Sequence, residues 1–211
     1  MLRPGLGRAA AVGFELRENG LNGSTRDPLT DFSFWHQWEA QILPARPMIL
    51  PPRSFVYPAQ AEEVERGALE VLIRPWAGEP AFLATCALGF KDPAVPTGIW
   101  ACPASEEVCA VSGGYAYVID TTAPERFTMI AYRPVLEVRA AVAAGLLLFV
   151  GHHGILAWGA GGQAWQSEKL SDEGVTITAV DGAELRGIGW NMMTDRETPF
   201  LLNLRSGRRL E

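Results

Sequence analysis

The sequence predicts an all-β fold of packed antiparallel sheets, as a sandwich or a partial propeller-like arrangement. A proline-rich N-terminal arm carrying one short helix precedes it. Three observations predict this. From Gln60 onward, apolar stretches of strand length are divided by Gly, Pro, Asn, Asp and Ser at intervals of roughly 8 to 15 residues. Several divisions are turn pairs such as Asp181-Gly182, which tolerate the positive φ of tight hairpins. No alternation of strands with long helical stripes occurs, so βαβ units are not expected.

Residues 1–60 form the arm and 61–211 the antiparallel β domain. The arm holds 7 of the 15 prolines, and each removes a backbone donor and fixes φ, which excludes long regular elements. The apolar stretch Ala9 to Phe14 is broken by Glu15 and Arg17, so it reads as a tail or first strand and not as a signal peptide. A helix is expected from Asp31 to about Leu43, capped by Thr30 or Asp31, with Phe32, Trp35, Glu39 and Leu43 on one face and Trp38 on another. Its aromatic residues must dock against the body or present a face to a partner.

The expected strands are Ala68–Arg74, Ala81–Gly89, Gly98–Ala101, Val108–Val111, Tyr115–Ile119, Phe127–Tyr132 and Val135–Val138. Gly145–Val150, Ile155–Trp158, Gln163–Leu170, Val175–Val180, Glu184–Trp190 and Pro199–Leu204 complete the set. Glu62 to Ile73 also admits a helical stripe through Val64, Ala68, Val71 and Leu72. Hairpin turns are placed at Ser112-Gly113-Gly114, Gly159 to Gly162 and Asp181-Gly182. If Trp158 stands opposite Gln163, Leu156 falls opposite Trp165, and both indoles share one face.

In the C-terminal half, Leu147-Leu148-Phe149-Val150-Gly151, Ile155-Leu156-Ala157-Trp158 and Gly162-Gln163-Ala164-Trp165 resemble the hairpins of quinoprotein-like β-propeller repeats. Phe200-Leu201-Leu202-Asn203-Leu204 before Ser206-Gly207 has a similar ending. The resemblance implies a bacterial β-rich protein with a binding or scaffolding surface. It covers well under half the chain and carries over no quinone-binding or catalytic residue. At about 40 to 45 residues per blade, the β part has room for little more than three blades, fewer than a closed ring uses.

Composition narrows the function classes. With 18 basic and 24 acidic residues the formal charge is −6, so there is no overall positive field to hold nucleic acid or an anionic bilayer. The uncharged stretch from Ala140 to Ser167 has a compact apolar part, Ala140 to Val150, shorter than the roughly 20 residues a membrane span needs. Three cysteines, Cys86, Cys102 and Cys109, are not a disulfide scaffold, and a reducing, cytoplasmic setting is expected. Cys102 and Cys109 flank a turn as cross-strand candidates, but zinc ribbons need two close-spaced pairs.

The residues that could form a site are His152, His153, Trp158, Trp190 and Asp195. Imidazole titrates near neutrality and is the commonest metal ligand, yet adjacent strand residues point to opposite faces, so His152 and His153 can act together only from a turn. Asp172 and Asp195 sit near turns, where turn formation itself explains a carboxylate. Trp76, Trp100, Trp158, Trp165 and Trp190 could line an aromatic cleft for a flat ligand, although such residues also build cores. No nucleophile elbow, phosphate-cradling loop or dinucleotide fingerprint occurs. The expectation is a non-enzymatic protein that binds a protein or small molecule, with no cofactor, no resident metal and self-association as a homodimer within the same picture. The alternative is a metal-dependent or acid/base hydrolase built around His152 and His153.

Overall fold

The computed structural model describes residues 27–59, 66–76 and 78–210. The expected first strand Ala9–Phe14 and the Glu62–Val64 start of the alternative helical stripe lie outside them. The described residues form sixteen strands and one 3-10 turn, Val142–Ala144. The strands make four sheets, mostly antiparallel and none closed into a barrel. The all-β fold expected from the sequence is therefore what the chain adopts.

Sheet I has the order β2 (Trp38–Leu43), β4 (Ala68–Pro75), β5 (Phe82–Ala87), β3 (Ser54–Tyr57). Sheet II runs β1 (Leu29–Asp31), β6 (Gly98–Ala101), β7 (Glu107–Ser112), β8 (Tyr115–Asp120), β9 (Phe127–Met129). Sheet III is a meander of β10 (Glu137–Ala141), β11 (Leu146–Val150), β12 (Ile155–Gly159) and β13 (Gly162–Gln166). Sheet IV is the meander β14 (Val175–Asp181), β15 (Glu184–Asn191), β16 (Arg196–Asn203). Among the described residues no helix is long and apolar enough to cross a membrane.

Burial on one or both faces explains the sequence pattern strand by strand. In β14 the run Val175-Thr176-Ile177-Thr178 alternates buried and exposed, because sheet IV has one covered face. The run Leu146 to Val150 is apolar throughout because sheet III is covered on both: Leu147 and Phe149 join a core shared with sheets I and II, whereas Leu148 and Val150 join a second core shared with sheet IV. Sheet II is likewise buried on both sides, with Val108 to Val111 and Ala116 to Ile119 all in the first core. The four sheets thus stack in chain order.

Glu107 stitches three of them. Its backbone oxygen accepts from Trp38 Nε1 at 3.1 Å, tying sheet I to sheet II, and its carboxylate accepts from Trp158 Nε1 at 2.8 Å, tying sheet II to sheet III. Burial pushes the Glu107 carboxyl above the usual carboxylate range, and the indole hydrogen bond pulls the other way.

The arm departs from expectation. No helix spans Asp31 to Leu43; the segment is β1, a bend, and β2. Trp38-Glu39-Ala40-Gln41-Ile42 alternates with period two, and pairing with β4 buries Trp38 completely while Ala40 and Ile42 pack beside it. That ladder outweighs a helical stripe that would have left Trp38 off the buried face. Asp31, foreseen as a cap, instead accepts from the backbone N–H of Ser33 at 2.9 Å in a local turn. The segment Glu62 to Ile73 resolves as strand where described, from Ala68 onward.

The Trp158 hairpin departs too. Trp158 does face Gln163, but Trp165 pairs with Ala157 because Ala164 is an extra, bulged residue. The bulge reverses the alternation, so Trp158 enters the first core and Trp165 the second. A sheet buried on both faces is filled by one indole on each.

Cys86, Cys102 and Cys109 are free and wholly buried. Burial raises all three thiols well above their ordinary range, and neighbouring Glu70 or Glu107 adds to it. A water-soluble alkylating reagent is expected to leave all three unmodified in the folded protein and to add three labels in denaturant, read by intact mass. Labelling of any one at the rate of a free thiol in native buffer contradicts this burial.

Candidate functional site

A concave feature lies where an edge of sheet II approaches an edge of sheet III. β1 is one edge strand of sheet II and β10 one edge strand of sheet III. The ten residues from Leu88 to Thr97, without regular structure, close the gap between them. Together they enclose a cavity of about 630 Å³, within the range of small-ligand sites. Leu29, Phe90, Val95, Leu136 and Val138 supply apolar wall, and Trp100, which belongs to the first core, lines it as well.

Both ends of the loop that lines the cavity are clamped to the body. Phe90 N donates to Gly113 O at 2.9 Å, Gly89 N to Ser112 O at 3.0 Å and Gly114 N to Pro96 O at 2.9 Å. Thr97 Oγ1 accepts from Gly113 N at 2.9 Å, and Thr97 O accepts from Leu29 N at 2.8 Å. Gly113 and Gly114 have φ of 55° and 75°, which a tight hairpin turn needs and which glycine adopts at little cost. Their backbone is what the loop grips. Leu29 and Phe90 remain 54% and 42% exposed, so the cavity opens to solvent.

Its charged members are Asp27, Asp92, Glu137 and Lys91. Glu137 is paired with Arg139 at 2.7 Å and Asp92 accepts from Ala94 N at 2.8 Å. With Glu137 neutralised by Arg139, the two carboxylates of Asp27 and Asp92 against the one amine of Lys91 leave the lining net acidic. A ligand with an apolar body and a cationic group matches both properties.

The residues singled out in the sequence lie elsewhere. His152 and His153 form the turn between β11 and β12, closed by Gly151 N donating to Gly154 O at 2.9 Å, and both are exposed. Their ring centroids are 6.2 Å apart. His153 Nδ1 lies 3.2 Å from Ser171 O, and Trp190 N donates to Ser171 Oγ at 2.8 Å, so Ser171 is a shared partner of His153 and Trp190. Asp195 is apart from them, exposed in the β15–β16 turn at φ 53°. Trp158 is in the first core, bonded to Glu107.

Asp172 is held below the usual carboxylate range by Lys169 Nζ at 2.6 Å and by the N–H of Met192 at 2.8 Å. It acts as a clamp between the β13–β14 connection and the β15–β16 turn. Among the described residues no three His, Cys, Asp or Glu side chains are grouped to hold a metal ion.

The five tryptophans named as a cleft are dispersed: Trp100 lines the cavity, Trp158 and Trp165 fill different cores, Trp190 is half-buried on sheet IV, and Trp76 is exposed beside His36, with ring centroids 6.2 Å apart. One signal of the cavity was present in the sequence. The run Phe90-Lys91-Asp92-Pro93-Ala94-Val95-Pro96-Thr97 breaks an otherwise short-turned β pattern, and long connections in compact domains are often functional. No protein-family model matches the chain, and no curated protein matches it.

Proposed function

We propose that the protein is a non-enzymatic binding protein that takes an apolar, cation-bearing ligand into the cavity between sheets II and III. The observation that carries this is the cavity of about 630 Å³, with apolar walls, an acidic lining and a loop clamped at both ends. Burial of alkyl surface there contributes affinity at roughly 25 cal/mol per Å² before the costs of binding. The carboxylates set the preference for positive charge.

A propeller-like relationship for the segment β10–β13 is part of this reading, and its four-stranded meander has the strand number of a propeller blade. Three buried free thiols support a reducing compartment such as the cytoplasm.

Octylamine and octanoate, equal in chain length and opposite in charge, test the binding reading. Titration followed by tryptophan fluorescence or calorimetry is expected to show octylamine bound several-fold more tightly than octanoate. Leu29→Arg, which puts a cation into the wall at a half-exposed position, should weaken octylamine about tenfold or more. Equal binding of the two probes, or an unchanged affinity in Leu29→Arg, overturns it.

A further inference from the structure

The connection between β2 and β3 presents an apolar tip that the fold does not use. Met48 and Ile49 are fully exposed, at 103% and 89%, and Leu50 is exposed as well. Pro47, Pro51 and Pro52 surround them and restrict the backbone, and Ser54 Oγ bonds back to Pro51 O at 2.8 Å. Large apolar side chains side by side on a proline-stiffened projection contribute nothing to the core and mark a contact.

The charges on this segment are both positive. Arg53 is engaged with its own sheet, donating to Pro80 O at 2.7 Å and lying 5.9 Å over the rings of Phe55 and Phe82. Arg46, at the other end of the tip, is exposed. The tip is therefore an apolar body with a cation beside it, the ligand class that the cavity fits.

We infer that the occupant of the cavity is the Arg46–Pro52 tip of a second copy of this chain, with Met48, Ile49 and Leu50 against the apolar wall and Arg46 toward Asp27 and Asp92. This rests on the cavity being a binding site as proposed above and names its partner. A volume of about 630 Å³ accommodates three aliphatic side chains, and the net charges of the two surfaces are opposite. Tip and cavity are different surfaces, so each copy offers one donor and one acceptor, and two copies that exchange tips reciprocally close a two-fold dimer. Where the two contacts do not form between the same two copies, association proceeds head to tail, to a ring where the rotation closes and to a filament where it does not.

Two variants with complementary defects test this. Met48→Asp/Ile49→Asp removes the tip and places carboxylates against an acidic cavity; Leu29→Arg removes the cavity's acceptor function. All substituted positions are exposed, and circular dichroism checks that the β signal is unchanged. Sedimentation velocity at about 100 µM, above a micromolar dissociation constant, is expected to show the wild type larger than monomer. Each variant alone is expected to be monomeric.

The equimolar mixture holds one competent tip and one competent cavity and is expected to stop at a 1:1 dimer. A monomeric wild type overturns the inference, as does a Met48→Asp/Ile49→Asp protein that associates like the wild type or a mixture that does not pair. Octylamine separates the two layers: if it binds while the wild type is monomeric, self-recognition fails and the cavity stands as a binding site. If octylamine does not bind and the wild type is monomeric, both fail.

Discussion

Trp165→Ala is expected to destabilise the protein by about 3–5 kcal/mol, a large share of the 5–15 kcal/mol typical of a domain. The indole is 7% exposed and lies in the core that joins sheet III to sheet IV. Its Nε1 donates to Leu204 O at 2.9 Å, and Gly207 packs so closely that a Cβ there would come within 2.4 Å of the ring. Truncation therefore leaves a cavity, orphans a carbonyl and removes what the Leu204–Gly207 turn packs against. Urea unfolding measures the loss, and Trp35→Ala, at a site 69% exposed, is the reference, expected within about 0.5 kcal/mol of wild type. Comparable midpoints for the two variants would mean that sheet IV is not anchored through Trp165.

The second large effect is at Gly98, and it links stability to the site. β1 pairs in parallel with β6, Leu29 opposite Gly98. A Cβ on Gly98 would sit 2.0 Å from Leu29 O and 2.8 Å from Leu29 N. Backbone cannot yield as a side-chain end does, so Gly98→Ala pushes β1 off the sheet. The expected cost is about 1–3 kcal/mol, the range for overpacking. Octylamine binding should fall with it, because Leu29 is displaced from the cavity wall. Gly161→Ala, where nothing lies within 4 Å of the added atom, is the matched control and should keep both stability and binding. If Gly98→Ala behaves like Gly161→Ala in thermal unfolding and in titration, β1 does not form that wall.

Much of the fold was legible because local pattern and tertiary role coincide. Val175-Thr176-Ile177-Thr178 alternates because one face of sheet IV is solvated, and Asp181-Gly182 turns the chain at the hairpin between β14 and β15. The uninterrupted run Leu146–Val150 reads as buried strand because both faces of sheet III are covered.

Where pattern and role parted, the expectation failed for identifiable reasons. Phe32, Trp35, Glu39 and Leu43 trace a helical face on paper, but the partner strand β4, some thirty residues on, makes Trp38-Ala40-Ile42 the buried set. The hairpin turn at Gly159–Gly162 was placed correctly by its glycines, yet one bulged alanine sent Trp165 to the opposite face from Trp158. A bulge has no strong local signal, since its benefit lies in the core that receives the displaced side chain.

By itself the sequence determined the β class of the fold, the hairpin turns that glycine permits, and the burial of apolar runs, since each depends on neighbours within a few residues. Tertiary structure alone decided the stacking of the four sheets, the division of the two indoles between two cores, and the cavity, whose walls come from Leu29, the 88–97 loop and 136–138. Residues so far apart in the chain share no period or spacing. Only packing, which sums contacts without regard to sequence separation, brings them to one place.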